Sequence, residues 1–230
     1  MSRNRISTAA PLRPSLRSGL RGVSVAAATS RGKIVTIKVE DIQKLRKKTG
    51  VGIMDAKTAL KETKGNLEKA IELLRKKGLS KAQKRANREA KEGIVSSYIH
   101  AGGRVGAMVE LLTETDFVAK TDGFKGLAYN IAMQVAAMDP EYATVEDIPK
   151  NVIEKEKEIE REKLRKEKKP DDIINKILDG KMENYYKEIV LIKQPFIKDE
   201  KKTIEDLIAE AVTKLGENIK IGRFARFQIK

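Results

Sequence analysis

The 230-residue sequence contains no cysteine, no tryptophan and a single histidine, His100. Without Cys there is no disulfide scaffold, no thiolate-held zinc or iron–sulfur cluster and no thiol nucleophile. One His leaves almost nothing from which to build a Ser–His–Asp triad or a His-rich metal centre. Aromatic residues are only 4% of the chain, so any core must rest on aliphatic side chains and Met. Long apolar runs are also missing. The longest uncharged stretch, Gly126–Met138, is far short of the roughly 20 residues that span a bilayer, and this predicts a soluble protein. Residues 1–34 hold no Asp or Glu, but six Arg, six Ser, Pro11 and Pro14. No apolar run there is long enough for a secretory signal. This is the composition of a disordered basic extension over 1–35, either an organellar transit peptide or a stretch that reflects the choice of start site.

What the chain does have is charge. Charged residues make up 35% and the net charge is +15. The excess is placed unevenly: residues 42–91 carry a net +11, whereas residues 92–230 sum to −2. A domain that grips nucleic acid with its main body would not be near neutral, so the basicity belongs to an arm or an accessory module.

The periodicity of the first third predicts three short helices over 36–80. Val39, Ile42 and Leu45 recur at helical spacing, with Gly50 closing the helix after Thr49. Lys38 or Val39 stands where a capping Ser or Thr would serve best. Ile53, Met54, Ala56, Ala59 and Leu60 form a second helix, closed by Gly65. Asn66 caps a third, with Leu67, Ala70, Ile71 and Leu74 on its apolar face and Gly78 as its stop. Three helices in so few residues make a marginal miniature bundle, of the kind used for docking. Ser80 and Gln83 read as the capping box of a separate basic linker helix within 81–92.

An α+β core is expected over 93–230. Ile94–His100 and Val105–Leu112 read as strands, joined by the turn Ala101-Gly102-Gly103-Arg104 into an antiparallel hairpin. Residues 121–138 predict a buried helix with Leu127, Ile131, Val135 and Met138 on one face. Pro140 and Pro149 bound a loop. Residues 151–169 are almost all Glu, Lys and Arg with a thin apolar stripe, and Asp171 begins a returning helix. Together they predict an exposed charged helical arm at about 151–187. Ile189–Ile197 reads as extended, Ile204–Leu215 as a helix opened by Thr203 and Asp206, and Ile219–Ile229 as a third strand.

Few residues invite chemistry. Gly50-Val51-Gly52 begins like a dinucleotide-binding loop, but Asp55 occupies the third glycine position and a helix, not a strand, precedes it. The two glycines fit a helix stop and a tight turn instead. His100 fits a hydrogen-bonding turn residue. Glu110, Glu114 and Asp116 lie at a strand end without a nucleophile or a second base. The segment Glu114-Thr115-Asp116-Phe117-Val118-Ala119-Lys120 is different. A bulky aromatic beside an acid at a loop tip is costly unless a partner takes it up.

This segment, together with Leu45-Arg46-Lys47-Lys48-Thr49-Gly50-Val51-Gly52-Ile53-Met54-Asp55-Ala56-Lys57-Thr58-Ala59-Leu60, resembles the signatures of the elongation factor Ts family. His100-Ala101-Gly102-Gly103-Arg104-Val105-Gly106, Gln194-Pro195-Phe196 and Gly216-Glu217-Asn218-Ile219 resemble further family segments, in order, over about 36–230. The chain is similar to short members with one core unit. Leu112 and Thr113 depart from the family, which often has Asn and a small residue there.

The resemblance implies a UBA-like N-terminal module followed by a three-stranded antiparallel sheet packed with helices. It implies a cytoplasmic guanine nucleotide exchange factor in translation elongation, or a mitochondrial or plastid one if residues 1–34 are a transit peptide. Its partner would be elongation factor Tu, GDP-bound and nucleotide-free. A homodimer is possible, and neither membrane nor direct nucleic-acid contact is expected. The protein would use no cofactor, metal or catalytic residue of its own. Thr115, Asp116, Phe117 and Val118 would disturb the partner's Mg²⁺ and phosphate site, and Arg46, Ile53 and Met54 would dock on its nucleotide domain. The alternative is a basic ribosome- or RNA-associated adaptor, with the +11 segment as its electrostatic footprint.

Overall fold

A computed structural model describes residues 37–167 and 170–230. The expected basic extension over 1–35 lies outside the described residues. Three helices come first: α1 (Val39–Thr49), α2 (Ile53–Glu62) and α3 (Leu67–Arg85). Their side chains form one small cluster, with Leu45, Ala56, Ala59, Leu60 and Ala70 buried. Gly50 is the left-handed stop of α1 at φ 67°, its N–H donating to Arg46 O, and Asn66 caps α3 by accepting from Lys69 N at 2.9 Å. Lys38 occupies the N-cap of α1 and makes no side-chain capping bond, because an ammonium cannot accept one. Val39 was expected on the apolar face but is exposed in the first turn.

The larger correction concerns Gly78. It does not stop a helix, and no separate basic helix follows, because α3 runs unbroken to Arg85 with Ser80 and Gln83 in its interior. Gly78 is buried where α3 crosses α8 (Ile204–Leu215). A Cβ there would come 3.4 Å from Thr213 Oγ1 and 3.8 Å from Ala209 O. The glycine lies within the contact between two helices rather than at a cap, and a methyl group there would make ordinary contacts. One helix therefore serves two cores, the small cluster through Ala70 and the main one through Ala82.

The main core is built on a three-stranded antiparallel sheet in the order β1 (Glu92–Ile99), β2 (Val105–Thr113), β5 (Ile219–Gln228). Ala107, Val109 and Leu111 of β2 face inward against α5 (Asp122–Met138), which contributes Phe124, Leu127, Ile131 and Val135. Met138 was expected on the buried face but sits at the exposed helix end. The β2–β5 register shifts between Val109 and Leu111. At that irregularity Glu110 accepts from the Arg223 N–H at 3.2 Å, and a Cβ on Gly222 would lie 2.6 Å from Glu110 Oε2. The arm is a helical hairpin of α6 (Lys150–Lys166) and α7 (Asp171–Ile189), with Leu164, Ile174, Leu178 and Met182 buried. Of the segment Ile189–Ile197, expected to be extended, Ile189 closes α7 and Leu191–Lys193 forms a 3-10 turn, so only Pro195–Phe196 pairs as strand. A small hairpin of β3 (Pro195–Phe196) and β4 (Asp199–Thr203) leads into α8.

Helix α8 opens with a capping box, Thr203 and Asp206 bonding each other's backbone N–H groups. Asp206 is almost fully buried and also receives Arg75 of α3, from Nε at 2.6 Å and from the second guanidinium nitrogen. Burial alone would raise the Asp206 carboxyl's pKa, but the bonds from Arg75 and Thr203 outweigh it and hold it below the ordinary carboxylate range. A depressed folded-state pKa adds stability that is present above the unfolded value and is lost as pH falls through the folded one. Asp206→Ala should therefore cost about 2–3 kcal/mol of unfolding free energy near neutrality. Denaturant titrations across pH should show the gap between the two proteins closing below about pH 4. A gap undiminished in strong acid would contradict this account.

Candidate partner-docking site

The sheet delivers β2 to a loop of unusual construction. After Thr113 the chain passes through extended Thr115 into a single helical turn, α4 (Asp116–Ala119), and then to Thr121, which caps α5. One turn advances the side chains by about 100° each, so neighbours divide between inside and outside. Ala119 is buried and Val118 half-buried against the main core. Asp116 is only half-covered, and Phe117 is 79% exposed. The loop thus holds a large aromatic in water while its other side is anchored.

The anchoring is polar as well as apolar. Thr115 Oγ1 accepts from Val118 N at 3.5 Å, and Thr121 Oγ1 donates to Val118 O at 2.8 Å while accepting from Phe124 N. Glu217, between α8 and β5, accepts from Thr113 Oγ1, Thr115 N and Thr115 Oγ1 at 2.7–3.0 Å. Burial pushes the Glu217 carboxyl's pKa up, but these bonds more than offset it and leave it below the usual range. Thr113, a departure from the family pattern, is fully buried and satisfied by Glu217. Asp116 receives Lys120 Nζ at 2.6 Å, one helical turn on, and this lowers the pKa of its carboxyl.

The second group of candidates lies on the first two helices. Arg46 is exposed near the end of α1. Ile53 and Met54 open α2 and are 55% and 70% exposed. The Gly50-Val51-Gly52 turn between the two helices directs them outward, while Val51 packs on the small cluster. His100 bonds to Tyr98 OH through Nδ1 at 3.0 Å beside the hairpin turn. Sequence reasoning singled out neither Lys120 nor a role for Glu217. The Asp116–Lys120 spacing of four was a readable signal. Glu217, more than a hundred residues downstream, stood within a family-like segment but with nothing local to tie it to Thr115.

A protein-family model described as "Elongation factor TS" matches residues 29–230. The chain is 52% identical over 193 residues to Elongation factor Ts of Fervidobacterium nodosum, covering 84% of this chain and 98% of that protein. It is 53% identical over 188 residues to Elongation factor Ts of Carboxydothermus hydrogenoformans, covering 82% and 87%. Similarity to Elongation factor Ts of Moorella thermoacetica is 52% over 193 residues, covering 84% and 95%. The chain belongs to the elongation factor Ts family. It is a nucleotide exchange factor for elongation factor Tu and not a bond-making enzyme. That membership decides between the exchange and adaptor readings. An elongation factor Ts needs surfaces that fit another protein rather than a reactive constellation, and the two exposed groups above are of that kind.

Proposed function

We propose that exchange runs through two contacts: Arg46, Ile53 and Met54 dock on the nucleotide domain of elongation factor Tu, and the Thr115–Val118 loop disturbs its Mg²⁺ and phosphate site. The observation that carries this reading is the 79% exposure of Phe117 on a loop braced from behind. An aromatic held in water on an ordered turn is already in the state that binding requires, so little ordering entropy is lost when a partner covers it. Phe117 and Asp116 then act together at the tip, Phe117 by apolar burial worth about 1.5–3 kcal/mol and Asp116 by charge near the metal side. Thr115 and Val118 fix the turn. The contacts favour a partner conformation that holds GDP poorly, and by linkage GDP weakens exchange-factor binding by the same factor. The helices at 36–80 act as the docking module.

We further propose self-association through the outer face of the sheet. Val95, Ile99, Met108, Phe227 and Ile229 are all exposed there, Phe227 by 71%. Ile99 and Phe227 flank Gly106, and Met108 lies between Ser97 and Ala225, so the face is apolar with a shallow trough. Arg223 and Glu110 sit beside it with opposite charges. A two-fold axis would place each against its opposite on the second copy. Among the described residues no helix is long and apolar enough to cross a membrane. The likeness to bacterial relatives supports a cytoplasmic location.

Four outcomes are expected. Phe117→Ala should melt within about 0.5 kcal/mol of the parent and slow fluorescent-GDP release from elongation factor Tu. A large melting shift with intact exchange would mark Phe117 as core instead. The accompanying Asp116→Ala defect should vanish at low free Mg²⁺ if the carboxylate acts on the metal side. Sedimentation velocity should find a dimer that Met108→Glu converts to monomer, and a parent protein that is monomeric at every accessible concentration would end the self-association proposal. Mass spectrometry of the mature protein should find residues 1–34 retained, whereas their cleavage would indicate an organelle.

A further inference from the structure

We infer that Glu217 is a positioning residue for exchange: its carboxylate orients the Thr115 hydroxyl and so fixes the direction in which Asp116 and Phe117 project. This rests on the reading of Phe117 given above. Glu217 lies in Gly216-Glu217-Asn218-Ile219, the link between α8 and β5, far from the loop in sequence and against it in space.

The geometry is a chain of dependence. Thr115 Oγ1 has one proton and two lone pairs. Glu217 Oε1, 2.7 Å away, takes the proton, which leaves a lone pair for Val118 N at 3.5 Å. That second bond caps the single turn carrying Phe117, and α4 is too short to hold its shape through its own ladder. The other carboxylate oxygen accepts from Thr115 N at 3.0 Å and from buried Thr113 Oγ1 at 2.8 Å. Brace and loop are tied a second time in the opposite sense, since Glu114 Oε1 accepts from Asn218 N at 2.6 Å. The Asn218 side chain donates to Ala86 O and Arg88 O just beyond α3. The loop is thereby referenced to the end of the helix that carries the docking module. An amide in place of the Glu217 carboxylate can keep the Thr115 N and Thr113 bonds on its one oxygen but must reverse the Thr115 hydroxyl bond, and it loses the charge that strengthens all three.

Glu217→Gln places an NH₂ where one of those acceptors stood and keeps size and shape. The maximal rate of GDP release from elongation factor Tu at saturating exchange factor should fall about tenfold. The half-saturating concentration should move by less than about twofold, because Arg46, Ile53 and Met54 are untouched. Adding Glu217→Gln to the Asp116→Ala/Phe117→Ala protein should slow exchange no further, as residues acting through one element are non-additive. Hydrogen exchange at the Thr115 and Val118 amides should accelerate while the amides of α5 keep their protection. That last readout separates a loosened loop from a loosened fold. A Glu217→Gln protein with full exchange beside a slow Phe117→Ala overturns the positioning role alone, as does a further loss when Glu217→Gln is added to Asp116→Ala/Phe117→Ala. Full exchange by Phe117→Ala overturns the wedge reading and, with it, the route through Glu217. Loss of protection throughout α5 makes Glu217 a general stability residue and likewise overturns the proposal.

Discussion

The seam between α3 and α8 holds the molecule's two cores in one frame, and the Arg75–Asp206 pair lies at its centre. Asp206 is buried with a full charge, which is expensive unless every acceptor site is used. Here two guanidinium nitrogens, the Thr203 hydroxyl and the Thr203 N–H all converge on it. Arg75 keeps part of its side chain in water, so only one member of the pair is fully desolvated. Farther along the same seam, Arg85 donates to Val212 O at 2.9 Å, and Gly78 is buried between these polar ties. The small helical cluster would otherwise be a marginal bundle with five buried side chains. It gains its orientation, and much of its support, from a neighbour it reaches through one continuous helix.

Much of this architecture was legible because its signals are local. The stop at Gly50, the caps at Asn66 and Thr203 and the turn at 101–104 depend on residues within four positions of one another. The misreadings share one physical origin, which is that a glycine, an apolar residue or a short extended run looks the same whatever lies across from it. Gly78 has the composition of a helix stop, and only the approach of Thr213 reveals a packing glycine. Val39 and Met138 fit their helical stripes but fall at helix ends, where the core has run out. The run expected to be extended from Ile189 turns instead through a 3-10 helix at Leu191–Lys193, where Leu191 N donates to Tyr142 O and Leu191 enters the main core.

The site divides along the same line. Phe117 could be found because an aromatic next to an acid at a strand end is a local anomaly. Ile53 and Met54 came from a sequence resemblance, since hydrophobic residues at a helix start are ambiguous by pattern alone. What holds the loop in place was invisible, because Glu217 and Thr115 meet only after β5 has paired with β2. The departures at Leu112 and Thr113 raised a question about packing at the strand end. Thr113 answers it with a hydroxyl that has a carboxylate to bind.

The strand order also has a temporal meaning. The central strand β2 is flanked on one side by its hairpin partner and on the other by β5, made more than a hundred residues later. During synthesis the β1–β2 hairpin and α5 can meet early, yet one edge of β2 stays open until residues 219–228 clear the ribosome. Since Glu217 and Asn218 arrive with that strand, the loop carrying Phe117 is left unbraced until then. A nascent or prematurely released chain would carry the helical module and the bare aromatic without the support behind it, so completion of the sheet acts as the checkpoint for a competent tip.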